Sequence, residues 1–296
     1  MTPIDSIDNN KDNNSASNSD SWLPPMLDTP KNDAGDIDDI LGDLPERPPA
    51  LNLYRFDYEQ NERLWKEYAA SIPPVPAGER LRMRFEKSGT AIYMSHLDLM
   101  RTMQRAFIRA ELPLTHSEGF NPHPQISIAM PLSVGVASVC ELMDFRLTID
   151  MRTRDIPARL NAVLPSGLRV AWAYQAVRKT SEIRWLTVYA RFFYSDGANR
   201  ALVDELERFF SAESIVIKKR TKRGERDFDI APGIQIANFA LKDDMVILLG
   251  MFSAQEPTVS TEHLLEALRQ HAPHLVPMHT QVSRIKTLNE RFRMFR

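Results

Sequence analysis

A chain of 296 residues, 43% apolar and 26% charged, has material for one large or two small domains of roughly 100–200 residues each. No apolar run approaches the roughly 18 residues a membrane span needs, and the opening MTPIDSIDNN lacks the basic-then-apolar layout of a secretory leader, so a cytoplasmic protein is expected. A single cysteine, Cys140, excludes a disulfide framework and the several thiolates of an iron–sulfur cluster or structural zinc site.

The net charge of −2 is unevenly spread: residues 1–50 hold eleven Asp/Glu against three Lys/Arg, net −8, residues 51–80 are net −1, and the remainder is +7. Residues 1–50 are rich in Asp, Asn, Ser and Pro. They cannot bury enough surface to offset a backbone ordering entropy of roughly 1–2 kcal/mol per residue, so a disordered acidic arm is expected. Two islands interrupt it, Trp22 to Leu27 and an acidic amphipathic stretch with Ile37, Ile40, Leu41 and Leu44, the form of short partner-binding motifs. In residues 51–80, Tyr54, Tyr58, Leu64, Trp65 and Tyr68 predict a short helix, followed by a linker stiffened by Pro73, Pro74 and Pro76.

The body begins with period-two alternation, Leu81, Met83 and Phe85 against Arg82, Arg84 and Glu86, the mark of a half-buried strand over Leu81–Lys87. A helix follows, with Ser95 as N-cap, Asp98 in its first turn and Leu99, Met103, Ala106, Phe107 and Ala110 on one face. Arg101, Arg105 and Arg109 fall on another face, and Pro113 ends the run. Strands are expected at Ile126–Pro131 and Glu141–Ile149, a helix at Asp155–Leu164 stopped by Gly167, and a strand at Leu168–Val177. The order strand, helix, strand, strand, helix, strand is that of the ferredoxin-like split unit. Residues 181–296 repeat it: Trp185–Tyr194, a helix Asn199–Phe210, strands near Ile215–Lys219, Ala231–Leu241 and Met245–Phe252, a helix Thr261–His271 and a strand Met278–Thr287. Residues 220–229 read as a hairpin inserted around Gly224. The expected class is α+β: two tandem ferredoxin-like halves, 81–180 and 181–296, preceded by the arm.

Five pieces of sequence form a recognisable set: Arg84-Phe85-Glu86-Lys87-Ser88-Gly89, Met94-Ser95-His96-Leu97-Asp98-Leu99-Met100-Arg101, Arg105-Ala106-Phe107-Ile108-Arg109-Ala110-Glu111-Leu112-Pro113-Leu114, Ser117-Glu118-Gly119-Phe120-Asn121-Pro122-His123-Pro124 and Pro131-Leu132-Ser133-Val134-Gly135-Val136. With the later Lys222-Arg223-Gly224-Glu225 and Asp229-Ile230, they resemble the bacterial radical-SAM-linked domain family of unknown function, over roughly residues 81–290. Residues 1–80 depart from that family's usual start. Such domains are fused to, or encoded beside, a radical-SAM protein with a cobalamin-type domain. The resemblance implies a radical-SAM partner holding the iron–sulfur cluster, SAM and cobalamin, with none of these bound by this chain. Together with the basic hairpin and the missing cluster ligands it leads to the expectation of a non-catalytic substrate-recognition subunit that binds RNA, transfer or ribosomal.

Three groups of residues can carry chemistry. Ser95, His96, Asp98, Arg101 and Arg105 lie at or near the mouth of the first helix, where free backbone N–H groups attract anions; the plainer reading is that Asp98 supports the cap and His96 packs locally. In the loop with Ser117, Gly119, Phe120, Asn121 and His123, two prolines hold an aromatic ring, an amide and an imidazole, types that stack on a base, read a base edge and move protons. The plainer reading there is a stiff connection. His96 and His123 are the candidate acid/base residues of a stand-alone endoribonuclease or transferase, and with His116 they would make a three-histidine metal site if they converged. Lys218, Lys219, Arg220, Lys222, Arg223 and Arg226 cluster around the hairpin tip, which either tracks a phosphate backbone or guards a solvated strand edge. A third reading is a protein-only adaptor docking through the arm.

Overall fold

A computed structural model of the protein describes residues 73–221 and 224–295. The expected arm over 1–50 and the helix expected from Tyr54 to Tyr68 lie outside the described residues, as do Lys222 and Arg223. The end of the linker is tied to the body: Val75 is buried and exchanges both backbone hydrogen bonds with Met151, at 2.9 and 3.0 Å.

In chain order the elements are β1 (Arg80–Lys87), α1 (His96–Arg109), β2 (Ile126–Ala129), β3 (Val136–Arg146), α2 (Asp155–Asn161), β4 (Leu168–Gln175), β5 (Trp185–Phe193), α3 (Arg200–Phe210), β6 (Val216–Thr221), β7 (Gly224–Asp229), β8 (Ile234–Lys242), β9 (Met245–Ser253), α4 (Thr261–His271) and β10 (His279–Leu288). The fold is α+β. One eight-stranded sheet has the order β4-β1-β3-β10-β5-β9-β8, with β2 paired to the end of β3. All its pairings are antiparallel except β3 with β10, which run parallel through Val136–Ser138 and 282–284.

Several boundaries differ from the sequence expectation. Strand β3 begins at Val136 rather than Glu141, because its first residues pair with β10, a contact no local pattern announces. Helix α2 ends at Asn161 rather than Leu164, since the Asn161 amide leaves the helix to bracket the backbone of Val170, donating to its O and accepting from its N at 2.9 and 2.8 Å. Gly167 does mark the stop: its φ is +85°, and a Cβ there would lie 2.4 Å from Ser88 O. The strand expected at Ile215–Lys219 does not join the main sheet. It is one arm of a separate hairpin, β6 with β7, whose last register pair is Thr221↔Gly224.

Alternation decides which face of the sheet each helix covers. Met83 and Phe85 on β1 and Met143 and Phe145 on β3 share a buried cluster with Leu99, Met103 and Phe107 of α1 and Ile156 and Leu160 of α2. The rings of Phe107 and Phe145 meet at 4.9 Å, and each buried phenyl stabilises the core by about 2–3 kcal/mol. In the second half Val188, Ala190 and Phe192 of β5 and Val246, Leu248 and Phe252 of β9 pack against Val203 and Leu206 of α3 and Leu264 and Leu268 of α4.

The seam between the halves carries buried charge. Glu141 and Arg284 are 1% and 8% exposed. Arg284 Nη1 donates to Glu141 Oε1 at 3.1 Å and to Met130 O at 2.7 Å. Lys87, also buried, donates from Nζ to Met94 O at 3.2 Å. Burial pushes the Glu141 carboxyl above its usual range against the pull of Arg284 and Lys87, and burial lowers Lys87.

Two outcomes follow. Arg284→Met leaves Glu141 buried without its guanidinium and destabilises the protein by about 3 kcal/mol in urea unfolding, and adding Glu141→Leu recovers most of that loss. At the start of α4, Ser260 N–H donates to His263 Nδ1 at 3.2 Å, which requires a neutral ring, and burial, then Lys219, lowers the His263 pKa from its usual 6.5. The unfolded chain therefore takes up this proton first as pH falls, so the His263 contribution is complete above about pH 6.5 and is lost as pH falls through the lowered folded value. Thermal unfolding at stepped pH should show a shallower acid-side decline for His263→Asn than for the natural protein.

Candidate functional site

Helix α1 starts as its sequence dictates. Ser95 Oγ accepts from Asp98 N at 3.2 Å and donates to Asp98 Oδ2 at 2.7 Å, and Asp98 lies 3.8 Å from Arg101. Ser95 and Asp98 are thus engaged in capping, the plainer of the two readings. His96 is exposed beside them, and Arg101, Arg105 and Arg109 are exposed along the outer face, Arg109 Nη2 donating to Val163 O at 2.9 Å. The helix mouth also carries apolar groups in water: Tyr93 and Leu97 are 67% and 64% exposed, and Val134 sits alongside through the Gly135 N to Ile92 O bond of 2.8 Å.

The loop after α1 is locked at its neck and open at its tip. Ser117 N donates to His123 O at 2.8 Å, His123 N donates to Ser117 Oγ at 3.0 Å, and His116 pairs with Pro124. Gly119 sits at φ +125°, a conformation side chains rarely adopt. Phe120 is 106% exposed, with Asn121 and His123 exposed beside it. A free phenyl on a pinned loop loses hydrophobic free energy unless something covers it. His116 Nδ1 donates to Leu114 O at 3.1 Å, fixing that ring's tautomer.

The helix mouth and the loop do not meet. The chain enters α1 from Lys87, whose register partner on β3 is Ser138, whereas the loop is anchored by Thr115 N on Arg146 O and by the Leu114–Leu147 bridge. Eight residues of β3 separate the anchors, a distance of roughly 26 Å at about 3.3 Å per residue. His96 and His123 therefore stand at opposite ends of the strand, and His96, His116 and His123, whose convergence would have made a metal site, are not brought together. No group of three metal-binding side chains is present among the described residues.

Two of the hairpin's basic side chains have partners on β7. Lys218 Nζ lies 2.6 Å from Asp227, its register partner, and Lys219 Nζ stands 4.7 Å from the Phe228 ring. Arg226 is exposed, and Arg220 lies opposite Glu225 in the ladder.

Sequence reasoning missed Lys87, Glu141 and Arg284, although a signal existed: Lys87 continues the inward run Leu81, Met83, Phe85, and Glu141 precedes Met143 and Phe145 on the inward face. Beside them Cys140 is a neutral buried thiol, pushed up to about 11 by burial and then by Glu141, which fits packing rather than reactivity.

Residues 80–275 match a sequence family described as "Uncharacterized protein conserved in bacteria (DUF2344)", and the chain belongs to that family. No curated protein matches it. Among solved structures it is similar to a crystal structure of an unknown protein from Galdieria sulphuraria, at 8% identity and a TM-score of 0.21, over 70% of this chain and 96% of that one. No helix among the described residues is long and apolar enough to cross a membrane.

Ser95→Ala removes the acceptor for Asp98 N–H and costs about 1 kcal/mol in chemical unfolding. His96→Ala, on the exposed face, stays within about 0.5 kcal/mol of the natural protein in the same measurement.

Proposed function

We propose that this member of the uncharacterized bacterial family is a cytoplasmic, non-catalytic RNA-binding subunit that presents substrate to a radical-SAM partner of the cobalamin type, in RNA modification. The partner would hold the iron–sulfur cluster, SAM and cobalamin; the lone buried Cys140 is consistent with a cluster held elsewhere. We read residues 81–180 and 181–296 as tandem ferredoxin-like units. Strand order supports this: β4-β1-β3-β2 and β10-β5-β9-β8 both run fourth, first, third, second.

The observation that carries the RNA reading is the Phe120 tip. Its backbone is fixed by the Ser117–His123 bonds while the ring, the Asn121 amide and the His123 imidazole all face solvent. Rigid aromatic, amide and imidazole groups are what unstacked RNA loops are recognised by. The exposed arginines of α1 add a sequence-independent attraction for phosphate. The separation of His96 and His123 along β3 means that the rival stand-alone enzyme would use one or the other as its acid/base, not the two as one pair.

Transfer RNA should bind the full chain with an affinity that falls as salt rises. Phe120→Ala should weaken binding roughly tenfold, since stacking contributes about 1–3 kcal/mol per base, and leave the thermal midpoint unchanged. Unchanged affinity in that variant, measured by fluorescence polarisation, would count decisively against the reading.

A further inference from the structure

The two halves treat the helix-free side of the sheet differently. In the first half that side is closed by the chain itself: Arg82 is 0% exposed, held to Asp144 at 2.5 and 2.9 Å, with Phe295 of the C-terminal segment 5.1 Å from its guanidinium. Phe295 also packs with Leu142, Ile183 and Leu186. In the second half the corresponding side stays open. Since Val188, Ala190 and Phe192 face the helices, Tyr189, Arg191 and Phe193 point the other way, and Ile247 and Leu249 lie beside them on β9. None of these five is buried.

The register sets out what this face offers. Phe193 is flanked by His279, the two rings 5.7 Å apart, and the row ends across Met245 at Lys242. Arg191 sits between Gln281 and Ile247, and Tyr189 between Ser283 and Leu249. Lys286 pairs with Thr187 at the far end. The face thus carries three permanent cations and three flat rings, and no carboxylate occupies any position of these rows; Asp243 and Asp244 lie in the turn beyond them. An apolar partner would leave Arg191 buried without a counter-charge, which is costly. A ligand with aromatic planes on one side and regular negative charge on the other satisfies both sets of groups, and that is single-stranded nucleic acid.

We infer that the helix-free face of β10-β5-β9-β8 is a binding platform for single-stranded RNA, with Tyr189, Phe193 and His279 stacking bases and Arg191, Lys242 and Lys286 holding phosphates. This rests on the RNA reading above and assigns it a second site, distinct from the Phe120 loop.

The test uses the full chain and a fluorescein-labelled oligouridylate of about a dozen nucleotides, beside the transfer RNA. Tyr189→Ala and Phe193→Ala each weaken oligouridylate binding roughly tenfold. Tyr189→Phe retains it, and Tyr189→Leu, which keeps an apolar strand residue, weakens it as Tyr189→Ala does, so the loss is separable from misfolding. Arg191→Gln makes the slope of log affinity against log salt shallower by about 0.7, one single-strand phosphate. Binding that falls in Arg191→Gln but is untouched in Tyr189→Ala, Phe193→Ala and Tyr189→Leu overturns the platform in favour of simple charge attraction. Protection of Tyr189 and Phe193 from hydroxyl radicals before any RNA is added also overturns it, and gives the face to the acidic residues 1–72 or, if the protection depends on concentration, to a second copy. A protein that binds transfer RNA but no oligouridylate loses the platform and keeps the RNA reading; one that binds neither loses both.

Discussion

Arg284 reaches from the last strand of the second half to Glu141 on the third strand of the first, and the two side chains are buried where the halves share only three register pairs. A seam that short offers few backbone bonds to fix alignment. A buried charge must find its partner, because the desolvation of an isolated ion costs several kcal/mol. Sliding β10 by one residue would turn Arg284 to the opposite face of the sheet and strand Glu141. The pair therefore specifies the register of β10 on β3 more than it adds to stability. Its electrostatics agree: burial outweighs attraction enough to raise the Glu141 carboxyl, and Lys87 contributes a second cation whose own charge is disfavoured there.

With that register set, the four α-helices of the described residues cover one side of a continuous sheet and leave the other to be dealt with separately. The two halves then diverge at the β10 irregularity between Arg284 and Lys286. Beyond it the chain turns back at Asn289, whose Oδ1 accepts from Arg291 N and Arg293 N at 2.9 and 3.0 Å, and this turn carries Phe295 onto the first half. One half is sealed by the chain's own end. The other keeps aromatic and cationic groups at the surface.

Helix α1 was legible because everything that defines it is local: Ser95 accepts from Asp98 N, and Leu99, Met103 and Phe107 recur at helical spacing and are buried. The β6–β7 hairpin was legible as an insertion, but the pairing of its charges was not, since Asp227 meets Lys218 only through cross-strand register. Strand β3 was misplaced at its start for the same kind of reason. Nothing near Val136 in the sequence signals a partner strand at 282–284. Whether His96 and His123 share a site was not legible, because nearness in sequence does not fix nearness in space. The helix between them, 14 residues long, carries the chain about 21 Å at 1.5 Å per residue, from one end of β3 to the other.

That separation bears on the kind of ligand the molecule suits. Small-molecule sites converge a few polar groups on one cavity, whereas here the accessible groups are spread out: exposed Tyr93 and Leu97 at the mouth of α1, exposed Phe120 at the other end of β3, and half-buried Tyr189 and Phe193 across the seam. Contacts at such spacing can be engaged together only by something extended. Double-stranded RNA domains behave this way, touching successive grooves over roughly 16 base pairs, and a protein partner with a broad face does so as well. The exposed apolar residues at the α1 mouth, with Ser95 and Asp98 already committed to the cap, suit the protein partner. The locked aromatic loop and the open cationic sheet suit the nucleic acid. On the reading proposed above, RNA on two surfaces and an enzyme on a third would have to be kept in fixed relation by the sheet, and the buried Glu141–Arg284 pair is what fixes the register at its shortest seam.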